Sequence, residues 1–533
     1  MAHRRAVARN VLLNWAGMAT RMVTGFLVLP FLVNQLGMTG YGLWSLIAAS
    51  TGAFALLDLG TRGSLGRNVA YARAKGDHQE INVLLSSGLA VTGTAAVVAA
   101  LATLFFVPVF VLLFDPPADQ LREVYLALPI AGLSIAATLA LSVFDATLWA
   151  YQRFEVINLV DIIGSIARIV LTFKLVTATN GLVTLALLQL GISLGGDLIK
   201  GLACAWLIPE LRPRPWLVQR GALEVLFNYG VWNFVGGIGR SITEGSGPMI
   251  VGNRLGLEMV TPFAAAWRLL GYAVQVMSVG ADVITPVATT LHAQEKSNQQ
   301  QQLFLEGSKF AFALGLFFLG GFACLGRSFL GLWIGPAFAS AASLLFILML
   351  GEVLPMSQII TRSIILGMGK PRIVALLVIA ENCLAIPLAL LAARPFGLVG
   401  VCVVIAVAAT CCRGIGLVLA GSRLVRLPPW HVPLHSFLPA LLCGLPPILL
   451  LALGVDLVPP TRWLGLVGWS VAYGLVYAAF VAGLLIGWGP LSRRLSSRFD
   501  FLLGRRLWEP SDLGSDRVAD RGPEVGPEVV SQP

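Results

Sequence analysis

The chain has 533 residues, of which 57% are hydrophobic and only 12% charged, with a mean hydropathy of +0.81 and a formal net charge of +10. Soluble domains carry about 25% charged residues, so a soluble fold, a string of soluble domains, a disordered chain and a soluble body with one anchor are all excluded. A polytopic membrane protein remains, whose positive excess fits loops facing anionic membrane lipids better than it fits nucleic acid.

Apolar runs of about 20 residues between polar or turn-rich breaks predict an all-α chain of fourteen transmembrane helices. In chain order these spans, one to fourteen, are 11–33, 41–61, 82–107, 124–149, 156–177, 182–207, 224–250, 261–285, 303–325, 341–366, 373–393, 397–420, 435–455 and 463–487. The first is not read as a cleaved signal peptide, because Arg21 interrupts it and no small-residue cleavage site follows. From Trp508 onward the tail is rich in Pro, Gly, Asp and Glu without apolar periodicity and is expected to be disordered. All seven cysteines (Cys204, Cys324, Cys383, Cys402, Cys411, Cys412 and Cys443) lie inside apolar runs and read as small hydrophobes, not as a disulfide framework or zinc site.

An even span count puts both termini on one side. That side then collects 24 of the 37 Lys and Arg residues, against 6 in the opposite loops, with the other 7 within or beside spans. The positive-inside rule makes the richer side cytoplasmic. Trp44, Trp149, Trp206, Trp333, Trp463 and Trp488 fall near span ends, where interfacial anchors belong.

Sliding the chain on itself by 219 residues aligns Asn14 with Asn233, Gly17 with Gly236, Arg21 with Arg240, Thr24 with Thr243, Asn34 with Asn253, Leu36 with Leu255 and Gly37 with Gly256. These are seven identities in 24 positions, where chance at this composition gives about two. Six spans separate the pair, so the halves are parallel repeats, and transporters built this way place the substrate path between them. The expected domains are a six-helix lobe over 1–208, a second over 209–421, helices thirteen and fourteen over 422–490, and a cytoplasmic tail over 491–533.

The segments LPFLVNQLGMTGYGLW (Leu29–Trp44), LLDLGTRGSLGRNVA (Leu56–Ala70), YQRFEVINLVDIIGSIARIV (Tyr151–Val170) and GLVGVCVVIAVAA (Gly397–Ala409) resemble bacterial polysaccharide flippases. These form the lipid-linked-oligosaccharide (O-antigen type) branch of the multidrug/oligosaccharidyl-lipid/polysaccharide (MOP) exporter superfamily. The resemblance covers about residues 1–420. It implies two V-shaped lobes with a trailing helix pair, a bacterial inner-membrane location, and alternating-access export of an undecaprenyl-diphosphate-linked glycan to the periplasmic leaflet. It also implies work alongside polysaccharide polymerase machinery.

A diphosphate crossing an apolar core needs cations, and Arg is the preferred partner because its planar fork binds phosphate bidentately. Arg21 and Arg240 are repeat-equivalent, and Arg268 in span eight is a third candidate. The plain alternative for Arg240 is an i,i+4 pair with Glu244. Asp58 is a candidate gate or proton switch, or else an i,i+4 partner of Arg62. Asp161 with Arg168, and Asp197 with Lys200, read as structural pairs within the first lobe. Glu381 and Asn382 in span eleven, with Asn233 of span seven and Thr410 of span twelve, could supply sodium ligands, or Glu381 could carry a proton. The alternative is a buried, protonated and hydrogen-bonded carboxyl, and Glu352 poses the same choice. No cofactor beyond such an Na+ or H+ is expected.

No G-x-x-x-x-G-K-[ST] and no H-E-x-x-H occurs, and the opposite-side loops are short. The five histidines fall at or beyond cytoplasmic span ends. The expectation is therefore a transporter and not an enzyme. The rivals are an ion-coupled multidrug exporter of the same superfamily and a membrane-embedded enzyme of polysaccharide assembly.

Overall fold

The computed structural model describes the backbone of residues 2–58, 60–228 and 231–502, and side chains within 15–58, 60–226, 235–278, 284–285 and 287–483. One compact unit, Met1–Leu484, holds every feature discussed below; Leu485–Pro533 forms a second.

Where they are described, all fourteen predicted runs fall on helices, and no strand occurs among the described residues. Spans three to six are His78–Phe114, Leu121–Ala150, Phe154–Leu175 and Gly181–Leu207. Spans seven to nine are Val231–Leu255, Leu257–Ala293 and Ser297–Trp333. Span ten is Ala342–Ser357 continued by Ile359–Gly367. Span thirteen is Leu438–Leu457 entered by a π-helical turn, and fourteen begins at Trp463.

Two pairs of spans run on as bent single helices. Spans one and two form Ala2–Ala53, broken at Gly37 with φ 70°, ψ −179°. Spans eleven and twelve form Pro371–Ala409, broken at Gly397 with φ 59°, ψ −148°, then continue through a π-helical turn, Thr410–Ile415, into Gly416–Leu424. Gly256, the repeat partner of Gly37, turns the chain between spans seven and eight at φ 93°, ψ 164°. Backbone at positive φ with ψ near 180° is essentially restricted to glycine, which explains why this residue survives in both copies.

Within the first half, span four packs on three and six, and span five on one and six; within the second, span seven packs on eleven, and ten on nine and on the bent helix that carries eleven and twelve. Lipid offers no hydrophobic drive for helix association, so close approach of small residues does that work: Gly351 faces the Ala406 backbone and Gly239 faces Val378 with no room for a Cβ. The trailing pair docks on span nine, where the Tyr473 and Tyr477 hydroxyls donate to Phe317 O at 3.0 Å and Ala313 O at 2.6 Å.

The two halves touch through spans one, two and three against seven, eight and nine. Hydrogen bonds between these spans gather toward the end remote from the termini. Thr261 Oγ1 donates to Met38 O at 2.5 Å, Asn253 Nδ2 to Leu113 O at 2.8 Å, and Trp333 Nε1 to Phe26 O at 2.8 Å. The last bond has a local cause. Pro30 lacks the N–H that would bond Phe26 O within the helix, and the indole of span nine takes the freed carbonyl. Phe26, Phe329, Trp333 and Trp463 stack around it, with Phe26 and Trp333 centroids 5.0 Å apart.

At the basic end, the connection between the halves is stitched to the start of span three. Arg212 N donates to Asn82 Oδ1 at 2.5 Å, Arg214 N to Ser86 Oγ at 2.9 Å and Gln219 N to Ser87 Oγ at 3.3 Å. The helix Arg220–Asn228 then buries Leu226 beside Leu65 and Val69 of the surface helix Thr61–Lys75.

Candidate functional site

Charges inside a membrane are costly unless paired, and the structure pairs most of these in two networks. In the first half, Lys200 on span six lies between Asp145 of span four, at 3.1 Å, and Asp161 of span five, at 3.2 Å, with Asp197 at 4.0 Å. Asp145 also receives Arg62, and Asp161 also receives Arg21 at 3.5 Å. Three cations thus share three carboxylates.

In the second half, Arg413 sits in the π-helical turn of span twelve between Glu352 of span ten and Glu381 of span eleven. Nη1 and Nη2 reach Glu352 at 2.6 and 3.0 Å, and Nε and Nη2 reach Glu381 at 2.5 and 3.0 Å. Both carboxylates are buried. The bidentate geometry on both sides is the strongest form of such a pair. A π-turn shifts the helical phase of the residues it contains, and here it carries the guanidinium that two acids share.

The networks are counterparts. In each half a cation on the sixth helix is gripped by one carboxylate from the fourth and one from the fifth. Thr24 and Thr243, repeat partners, carry the likeness further: Thr24 Oγ1 donates to Ser165 O of span five at 3.5 Å, and Thr243 Oγ1 to Asn382 Oδ1 of span eleven at 3.1 Å.

Several pairings differ from those read in the sequence. Arg168 does not take Asp161, which faces Lys200 and Arg21 instead. Asp58 accepts only the Arg62 backbone N–H, at 3.4 Å, while the Arg62 side chain turns to Asp145; Asp58 Oδ1 is buried with no hydrogen bond. Asp197 and Lys200 do lie together. Arg413 was the residue missed; its signal was the presence of two acids in spans ten and eleven with no cation assigned to them.

Glu381 is engaged by Arg413. Asn382 donates to Gly239 O and Val378 O, both at 2.8 Å, tying span eleven to span seven, and Thr410 donates to Gly351 O at 2.9 Å. The Asn233 side chain lies outside the described residues. No group of three or more His, Cys, Asp or Glu side chains suited to a metal occurs among the described residues.

The three candidates lie on spans one, seven and eight, and the bent helix that carries span one packs on both of the others. The Arg21 side chain is 48% exposed even with Asp161 beside it. Arg240 and Arg268 are exposed, and Glu244 lies within electrostatic reach of Arg240 without forming a direct ion pair. Gly25, one turn beyond Arg21, lets span eight close in: a Cβ there would collide with the Tyr272 hydroxyl and stand 3.7 Å from Arg268 Nη1. Arg21 and Arg268 therefore flank neighbouring turns of span one.

Residues 7–292 match the family described as polysaccharide biosynthesis protein. A 111-residue stretch is 34% identical to stage V sporulation protein B of Bacillus subtilis (strain 168), taking in 20% of this chain and only 21% of that relative. Among solved structures, the inward-facing conformation of a multidrug resistance MATE family transporter of the MOP superfamily superposes with TM-score 0.68 at 14% identity, over 78% of this chain and 98% of that one. The outward-facing conformation of such a transporter gives 0.59 at 16% identity, over 79% and 95%. A MOP superfamily transporter from Pyrococcus furiosus, described as having a binding pocket of reversed polarity, gives 0.60 at 14% identity, over 79% and 95%. At these identities the structural likeness is one of fold. With its family match extending over more than half of the sequence, the chain belongs to the polysaccharide biosynthesis protein family, and its long apolar helices make it a multi-pass membrane protein.

Proposed function

We propose that the protein flips an undecaprenyl-diphosphate-linked oligosaccharide across the bacterial inner membrane, from the cytoplasmic to the periplasmic leaflet. The observation that carries this reading is the set of exposed arginines, Arg21, Arg240 and Arg268, on the helices through which the two halves meet. Cations held in a low-dielectric setting attract a diphosphate strongly, and a cationic drug would be repelled there. Hydrogen bonds between the spans of the two halves cluster at the end remote from the termini. With both termini cytoplasmic, as the charge asymmetry argues, this arrangement offers the cleft to the cytoplasmic leaflet, ready to load.

Glu381, with Glu352, is the proposed coupling element. Two carboxylates around one guanidinium carry one negative charge in excess, so uptake of a single H+ or Na+ neutralises the group. Asp58, with its unbonded Oδ1, is the proposed gate residue.

Reconstitution tests the reading: vesicles loaded with undecaprenyl-diphosphate-linked glycan are assayed for lectin-accessible sugar under separate H+ and Na+ gradients. Gradient-driven exposure of glycan, lost in an Arg21→Gln/Arg240→Gln protein, is the expected result. Transport of cationic drugs with no movement of the lipid-linked glycan would replace this reading with multidrug export.

A further inference from the structure

A diphosphate carries about two negative charges, and charge matching shows which cations are free to meet them. Arg21, Arg62 and Lys200 are matched by Asp145, Asp161 and Asp197. Arg413 is outnumbered by Glu352 and Glu381. Among the described in-span cations at the meeting of the halves, Arg168 on span five, Arg240 on span seven and Arg268 on span eight have no carboxylate within ion-pair distance, and of these Arg240 has Glu244 within electrostatic reach.

Arg168 and Arg268 lie on either side of span one. Thr24 touches Ser165 of span five, and Arg168 is three residues beyond Ser165, on the same helix face. Gly25, next to Thr24, is the position that admits Arg268 and Tyr272. Arg168 and Arg268 are within electrostatic reach of one another. The Tyr272 hydroxyl, packed over Gly25, is enclosed beside the Arg268 guanidinium. Two like charges from opposite halves, brought together with no anion between them, are an arrangement that an anion of two charges would stabilise.

Resting on the flippase reading above, we infer that Arg168 is a substrate-binding residue that grips the diphosphate jointly with Arg268, with the Tyr272 hydroxyl as a further donor. Arg21 also holds Asp161, and a passing phosphate competes with that carboxylate for it. Because the grip takes one cation from each half, its occupant also draws the halves together around itself.

Binding of undecaprenyl diphosphate, undecaprenyl monophosphate and inorganic pyrophosphate to the full-length protein in nanodiscs tests this, with thermal stability read in parallel. Losing one charged hydrogen-bonding partner should weaken undecaprenyl diphosphate binding about tenfold or more in Arg168→Gln and in Arg268→Gln. The monophosphate should be affected less, and Arg168→Lys should recover part of the loss. Competition by pyrophosphate alone locates the grip on the diphosphate; competition that requires the polyprenyl chain does so with the lipid as part of the ligand. Arg168→Gln or Arg168→Lys protein that folds and binds undecaprenyl diphosphate as the unsubstituted protein does, while Arg268→Gln loses it, overturns the role of Arg168 alone. Absence of undecaprenyl diphosphate binding in the unsubstituted protein overturns both this inference and the flippase reading.

Discussion

The two halves solve one problem in two ways. Each buries a cation on its sixth helix between acids from the fourth and fifth. In the first half that group is extended: Lys200 shares its acids with Arg62 on the surface helix Thr61–Lys75 and with Arg21 on span one, so the charge reaches the cleft. In the second half the group is closed, with every donor of Arg413 that faces Glu352 and Glu381 engaged and no cleft arginine joined to it. A duplicated scaffold can thus keep a common brace while one copy is opened toward substrate and the other is sealed with an odd charge.

The largest expected effect breaks the closed group. Arg413→Met leaves two buried carboxylates unpaired and should cost about 3–5 kcal/mol, read as a large drop in melting temperature or a failure to accumulate in membranes; adding Glu352→Gln and Glu381→Gln should restore much of it. Lys200→Met should cost less, about 1–3 kcal/mol, because Arg62 and Arg21 still serve Asp145 and Asp161. Equal melting losses in the two variants would end the distinction between an extended and a closed network.

Gly25→Ala sharpens the contact between halves. The new methyl must displace Tyr272 or move span one, at about 1–3 kcal/mol, and crosslinking between cysteines placed on spans one and eight should fall. Trp333→Phe keeps the ring stack but removes the bond to Phe26 O. It should cost about 1 kcal/mol and raise thiol labelling of a cysteine placed among the remote-end contacts. The smallest effect is at Arg21: its half-exposed pair with Asp161 should contribute only about 0.2–1 kcal/mol to stability, so Arg21→Gln should melt almost normally.

The spans and their duplication were legible in the sequence because both depend on local composition. Twenty apolar residues can only be a membrane helix, and a glycine required at positive φ resists replacement in both copies, as at Gly37 and Gly256. The pairing of charges was not legible. Asp161 stands seven residues from Arg168, on the same face of its helix, yet its partners come from spans one and six. Arg413 escaped because its acids lie 61 and 32 positions away in the chain, and because the π-turn beneath it alters the phase on which periodicity relies. Chain order predicts which helices exist, but helix-to-helix azimuth decides which charges meet, and only packing sets that.

The proline in span one has a consequence of its own. By deleting one donor from its helix, Pro30 turns the Phe26 carbonyl into a shared resource, available to the span-nine indole only as long as no N–H of span one claims it. Helix regularity and closure between the halves are therefore in direct competition for a single oxygen atom. A Pro30→Ala chain would have the straighter helix and the weaker seal, with Trp333 left holding an unclaimed proton among three aromatic rings.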